Sequence, residues 1–200
     1  IFYNITKDGL SMPGIEIPID NSSPRDLTVL DVEGIENDKV YFTNWGTPGI
    51  VSPSIKVFNL FNYTIETSIP VSGLPEDIII DGDYLWVTIN MNLDWSDGNR
   101  VLKINTITNE IEEYIVGFGP RNLVLHNSNI YISRTYYDED WNTYHGTSKI
   151  NDDGSVEEVN YGLGIACGGS IMVYNNQIYR SFDGGIAPLD EDLNIQESLR

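Results

Sequence analysis

A single cysteine, Cys167, in 200 residues leaves no internal disulfide and no multi-cysteine metal site. Histidine is almost as scarce, at two, and neither His126 nor His145 lies in an H-E-x-x-H pattern. No G-x-S-x-G nucleophile turn and no phosphate-cradling glycine loop occurs. Apolar runs stay well short of the about 18 residues a membrane-spanning helix needs. Basic residues number 11 against 30 acidic ones, a net charge of −19. That deficit argues against nucleic acid, whose affinity comes largely from Lys and Arg neutralising phosphates, and against anionic lipid surfaces. Acidity instead suits solubility in a salty or extracellular setting, with divalent-cation binding as the sharper alternative. A 3.6-residue apolar stripe is missing as well, which leaves little room for amphipathic helices.

What the chain does have is a recurrence. An Asn or Asp closes a short apolar run, a few polar residues follow, and a second apolar run begins. The positions are Asn4, Asn59, Asn105, Asn151 and Asp190, at intervals of 55, 46, 46 and 39 residues. Such side chains hydrogen-bond backbone two residues on and so open tight turns, and periods in this range signal propellers or solenoids. Residues 75–117 show the unit most clearly: PEDIII, the Asp81-Gly82-Asp83 turn, YLWVTIN, a polar segment, VLKIN and EIEEYIV. These are four short β-branched and aromatic strands. The predicted fold is an all-β propeller of four-stranded antiparallel blades. A single domain over 1–200 holds an outer hairpin at 1–19 and blades near 24–71, 75–117, 120–160 and 168–200.

The segments SIKVFNLFNYTIETSIPVSGLPEDIIIDGDYLWVT (54–88) and RVLKINTITNEIEEYIVGFGPRNLVLHNSNIYIS (100–133) resemble the repeat of YncE-like seven-bladed propellers. The shared features are a strand ending in Asn-Thr or its equivalent, a Gly-x-Pro lead-in, an inner strand and a Val-Tyr-Val-Thr-type strand. The resemblance implies the fold and a mostly extracytoplasmic setting (periplasmic, secreted or cell surface), with varied roles. Ala166-Cys167-Gly168-Gly169 departs from the Gly-x-Pro pattern. A seven-bladed ring needs about 300 residues. A partial ring is therefore expected, as a fragment or as copies that associate into a homo-oligomer, with a closed four-bladed ring as the third alternative. The start at Ile1 and the unpartnered segment 1–19 favour the fragment.

Up-and-down connectivity puts the blade lead-ins and the second-to-third-strand loops at one end. The lead-ins are Pro24-Arg25-Asp26, Pro75-Glu76-Asp77, Pro120-Arg121-Asn122 and Gly168-Gly169-Ser170. The loops are residues 44–48, 90–99 and 134–146, carrying Trp45, Trp95, Trp141, Tyr136, Tyr137 and Tyr144 among Asp94, Asp97, Asp138, Glu139 and Asp140. Aromatics with carboxylates suit a saccharide, peptide or protein ligand, and rigidly held loops are where function concentrates. The expected ligand face joins these rings to Asp26, Asp77 and Asn122. The bland alternative is that the rings seal the loops against neighbouring blades. Asn90, Asn92 and Asp94, and likewise Asp138, Asp140 and Asn142, alternate as oxygen ligands do. Neither run is an EF-hand: after Asp138, Thr143 and Lys149 stand where Gly and Glu belong. Calcium is the one cofactor this alternation admits, and none is otherwise expected. His126 reads as structural, His145 as a loop residue and Cys167 as a small buried apolar residue. A binding propeller that is not an enzyme is the first functional expectation. The alternatives are a metal-dependent hydrolase or lyase, lactonase-like, with its site at the channel mouth, and a purely structural surface repeat.

Overall fold

The computed structural model describes residues 5–6, 9–10, 23–30, 38–164, 169–182 and 184–199. Asn4 and Cys167 lie outside them, so their expected roles have no structural counterpart here. A short hairpin pairs β1 (Ile5–Thr6) with β2 (Gly9–Leu10). The first four-stranded sheet takes β3 (Pro24–Leu30), β4 (Lys39–Asn44), β5 (Ser54–Asn59) and β6 (Thr64–Pro70) in chain order. The second repeats this with β7 (Leu74–Asp81), β8 (Tyr84–Met91), β9 (Asp97–Asn105) and β10 (Ile111–Ile115). The third takes β11 (Pro120–His126), β12 (Asn129–Tyr137), β13 (Thr143–Ile150) and β14 (Val156–Leu163). The fourth has β15 (Ile171–Tyr174), β16 (Gln177–Phe182) and β17 (Gly185–Pro188), then a Leu189–Ile195 bridge and a 3₁₀ turn at Glu197–Leu199. All pairings are antiparallel, and the described residues contain no α-helix. This is the expected propeller architecture, with about four blades.

Burial along the sheets follows from stacking them face to face. Second strands such as β8 are apolar on both faces because each face meets a sheet, and Leu85, Val87 and Ile89 are fully buried. Outermost strands such as β10 are largely exposed and acidic, which blunts a free edge. The innermost strands β3, β7, β11 and β15 pack in succession. Apolar seams join first to second sheet (Tyr41, Ile55 and Ile69 on Leu85 and Ile89) and second to third (Trp86, Val101 and Val116 on Ile130 and Ile132).

Among the described residues, the recurrent Asn or Asp sits at the turn that follows the third strand of each of the four larger sheets. Asn59 Oδ1 accepts from Phe61 N (2.8 Å) and Asn62 N (3.0 Å), and Asn105 Oδ1 from Ile107 N and Thr108 N (both 2.9 Å). Asp190 Oδ1 does the same for Asp192 N and Asn194 N. Asn151 differs: its side-chain nitrogen donates to Ser155 and Glu157, while its backbone makes the turn. The link between second and third sheets is equally constrained. Gly119 sits at φ +67°, and a Cβ there would overlap the Thr135 carbonyl, so only glycine fits.

Candidate functional site

Each lead-in breaks strand register, between Pro24 and Leu27, Pro75 and Ile78, and Pro120 and Leu123. The bulge presents backbone that one hydroxyl per sheet captures. Thr43 Oγ1 accepts from Asp26 N (2.9 Å) and donates to the Glu76 carbonyl of the next sheet (2.9 Å). Thr88 links Asp77 N (3.0 Å) to the Arg121 carbonyl (2.8 Å), and Ser133 links Asn122 N to the Gly169 carbonyl. Ser181 accepts from Ser170 N in the fourth sheet. The acids add a second set of bridges, since Asp26 Oδ2 accepts from Ile78 N (3.1 Å) and Asp77 Oδ2 from Leu123 N (2.6 Å). Asp26, Asp77 and Asn122 lie together, with Asp77 in contact with the other two, and the Asp26 and Asp77 carboxylates tie inner strands. Burial, reinforced by the hydrogen bond to and the charge of Asp26, pushes the Asp77 carboxyl up to about 7. Arg25 pairs bidentately with Glu76 (3.0 and 2.7 Å) and lies 4.5 Å from the Trp45 ring. Arg25, Glu76 and Arg121 share a polar cavity of about 130 Å³ with Asn90, Asp97, Thr135 and Tyr137, so lead-ins and second-to-third-strand turns do meet at one end.

Two segments expected as long loops are tight hairpins. β8 runs to Met91 and β9 starts at Asp97, and β12 runs to Tyr137 with β13 starting at Thr143. Tyr136, Tyr137 and Tyr144 are therefore strand residues: Tyr136 pairs with Tyr144 across the ladder and Tyr137 with Thr143. The Tyr136 and Tyr144 rings stack at 5.7 Å and 17°. The turns left over, residues 92–96 and 138–142, have the same backbone. Asn92 N donates to the Ser96 carbonyl and Trp95 N to the Asn92 carbonyl; Asp138 N donates to Asn142 and Trp141 N to Asp138 likewise. In both, the fourth residue is left-handed: Trp95 at φ 69° and Trp141 at φ 62°. That conformation costs a bulky residue about 1–2 kcal/mol. Both rings are nevertheless presented to solvent, at 55% and 77% exposure.

Trp95 meets Trp45 edge-on, with centroids 6.3 Å apart. Between them opens an apolar cavity of about 380 Å³, walled by Pro48, Ile50, Val51, Pro53, Leu74 and Leu93 as well. Ile50 and Leu93 are largely exposed at its rim. Trp141 is not part of this cavity; it packs on Tyr137, at 6.1 Å. Tyr137 N in turn donates to Asp97 Oδ2 (3.0 Å), which joins the second and third hairpins.

The alternating oxygen donors close their own turns. Asp94 Oδ1 accepts from Ser96 N and Oγ, Asp138 Oδ1 from Asp140 N and Asn142 N, and Asp138 Oδ2 from Asn142 and Tyr144. These bonds hold Asp94 and Asp138 below the usual carboxylate range. The side-chain nitrogens of Asn90 and Asn92 donate to the carbonyls of Pro120 and Asp97. Among the described residues no three His, Cys, Asp or Glu side chains gather as a metal would need. His126 Nε2 sits 3.0 Å from Asn127 at a hairpin tip. His145 is a correction: it is a β13 residue at 1% exposure rather than a loop residue, since the ladder to Thr135 continues past it. Arg134 and Arg180, both fully buried, were not anticipated. The signal available for them was an arginine inside an otherwise apolar strand, as in IYISR and IYRSF.

A scan against protein-family models finds no match, and neither does a search of curated proteins. Solved structures match in fold. A chain of the nidogen/laminin complex is similar at TM-score 0.60 and 17% identity, over 96% of this chain and 74% of that one. Saccharomyces cerevisiae Sqt1 is similar at TM-score 0.58 and 12% identity, over 84% and 45%. A neuraminidase-like protein from A/bat/Guatemala/164/2009 is similar at 0.57 and 14%, over 90% and 55%. The chain thus spans about half the length of the latter two. Identities this low establish the propeller fold and nothing finer.

Proposed function

We propose that this protein is a ligand-binding β-propeller of the YncE-like kind, working outside the cytoplasm, whose binding face is the end bearing Trp45, Trp95 and Trp141. One observation carries the reading: two tryptophans occupy left-handed turn positions and stay exposed. Strained backbone clusters at active sites and ligand clamps, held there by the surrounding structure. An apolar cavity beside a polar one suits a ligand with both characters, such as a saccharide or a peptide, and Trp is the residue type most enriched at binding hot spots. The bidentate Arg25–Glu76 pair and the bridging Asp26 and Asp77 act in this reading as scaffold. No reaction is assigned to the protein. Nucleic acid is disfavoured by charge, and no helix among the described residues is long and apolar enough to cross a membrane.

The test is a fluorescence titration against saccharide and peptide panels, each with and without calcium, of the parent and of Trp45→Ala and Trp95→Ala. A saturable change in the parent that weakens at least about 30-fold in either variant supports the reading. No saturable change in the parent with any panel member would contradict it.

A further inference from the structure

Three seams join the four sheets, and the third is built differently. When the sheets are aligned on their stapling hydroxyls (Thr43, Thr88, Ser133 and Ser181), the residue just before is Phe42, Val87, Ile132 and Arg180. Val87 and Ile132 are apolar plugs in the first and second seams, at 0% exposure each. Arg180 stands at that place in the third seam, at 1% exposure. Its Nη2 donates to the Arg134 carbonyl (3.0 Å), and its guanidinium lies 5.5 Å from the Tyr161 ring. Nε and Nη1 are buried and have no hydrogen-bond partner among the described residues, where no carboxylate pairs with Arg180 either. Arg134, the other buried guanidinium, has both Asn160 Oδ1 at 2.6 Å and Glu158 at 3.7 Å.

His145 shares the seam. One ring nitrogen is 3.3 Å from Thr135 Oγ1, while Nε2 is buried with no partner among the described residues. The nearby Tyr161 hydroxyl is already engaged with Thr147 Oγ1 (2.8 Å) and the Leu193 carbonyl (2.5 Å). Burial, then the charge of Arg180, lowers the His145 pKa, and burial draws Arg180 down to about 10, still cationic at neutral pH. A buried charge with no counter-charge among the described residues and with Nε and Nη1 unmet is destabilising even with one hydrogen bond made. A smaller apolar residue, Val87 or Ile132, serves the other two seams without that penalty.

We infer that the seam between the third and fourth sheets is an anion site, in which Arg180 Nε and Nη1 together with His145 Nε2 hold one small monovalent anion, a halide or a short carboxylate. The occupant neutralises the guanidinium and satisfies donors left open among the described residues. The site is separate from the Trp45–Trp95 cavity and does not depend on that face binding anything.

The experiment is thermal melting at constant sodium, exchanging gluconate, which is too large for a buried seam, for chloride, formate or acetate. The parent should show a saturable rise in Tm of about 3–6 °C. Arg180→Leu, which restores the apolar residue of the other seams, should melt above the gluconate form of the parent and give no response to any of the three anions. His145→Gln keeps the guanidinium and should raise the chloride midpoint several-fold, a readout that stands if Arg180→Leu fails to fold. A parent that does not respond, a parent and Arg180→Leu that respond alike, or an unchanged midpoint in His145→Gln would overturn the inference.

Discussion

The turns at 92–96 and 151–155 have the same backbone and opposite residues at its critical point. In each, the first residue's N–H meets the fifth carbonyl, the fourth N–H meets the first carbonyl, and the fourth residue is left-handed. At the third-to-fourth-strand end that residue is Gly154, at φ 84°, the choice folding alone would make. Leu193, in the equivalent turn of the fourth sheet, is also left-handed but is buried at 1%, so core packing offsets its strain. At the other end the residue is Trp95 or Trp141, strained and exposed together. Tyr63, in the third-to-fourth-strand turn of the first sheet, is left-handed at φ 59° and 43% exposed too, so strain with exposure is not confined to one end. What sets the other end apart is a pair of such tryptophans, one of them lining the Trp45–Trp95 cavity, and on the proposed reading that end is for display and the opposite one for closure.

The largest effect that sharpens this contrast is in binding. Trp95→Ala should weaken any ligand found for the parent by at least about 2 kcal/mol, whereas Gly154→Ala should leave its affinity unchanged. Equal losses in a titration would erase the distinction between the ends.

The turn acids Asp94 and Asp153 are held below the usual carboxylate range alike at the two ends, so the pH dependence that separates them should come from Asp77. The folded protein holds the Asp77 proton up to about 7, while the unfolded chain releases it near 3.8. Between those values the folded state binds more protons, so stability falls as pH rises through the window and levels off above it. Asp77→Asn should flatten that fall in urea unfolding measured from pH 4 to 8. An unaltered slope would assign it to other groups.

Removing a staple at the display end comes next. Thr88 is fully buried and satisfies Asp77 N, so Thr88→Val should destabilise by about 1–3 kcal/mol in urea unfolding. The smallest effect lies at the closing end. A Cβ at Gly154 would meet only the Tyr114 ring, at 3.7 Å, an ordinary contact, so Gly154→Ala should lose about 1 kcal/mol through backbone strain alone.

The architecture was legible because alternation and turn chemistry act locally: Asn59, Asn105 and Asp190 mark turns whatever surrounds them. The clustering of Asp26, Asp77 and Asn122 followed from connectivity. What escaped depends on partners from other sheets. Nothing local marks Thr88 as the hydroxyl that reaches the Arg121 carbonyl, or His145 as buried under the fourth sheet. Tyr136 and Tyr144 were read as loop residues because acids around them resemble a solvated loop, whereas cross-strand stacking extends the ladder. The left-handed backbone at Trp95 and Trp141 is visible only in three dimensions, since no propensity scale places tryptophan there.

The central claim is that these two tryptophans are kept for display and not for folding. The most direct measurement is urea unfolding of the Trp95→Gly, Trp141→Gly double variant beside the parent. Relief of strain at two left-handed positions should offset the lost Trp45 and Tyr137 contacts, leaving stability within about 1 kcal/mol of the parent or above it. A loss of about 3 kcal/mol or more would show that the rings are structural plugs and contradict the account.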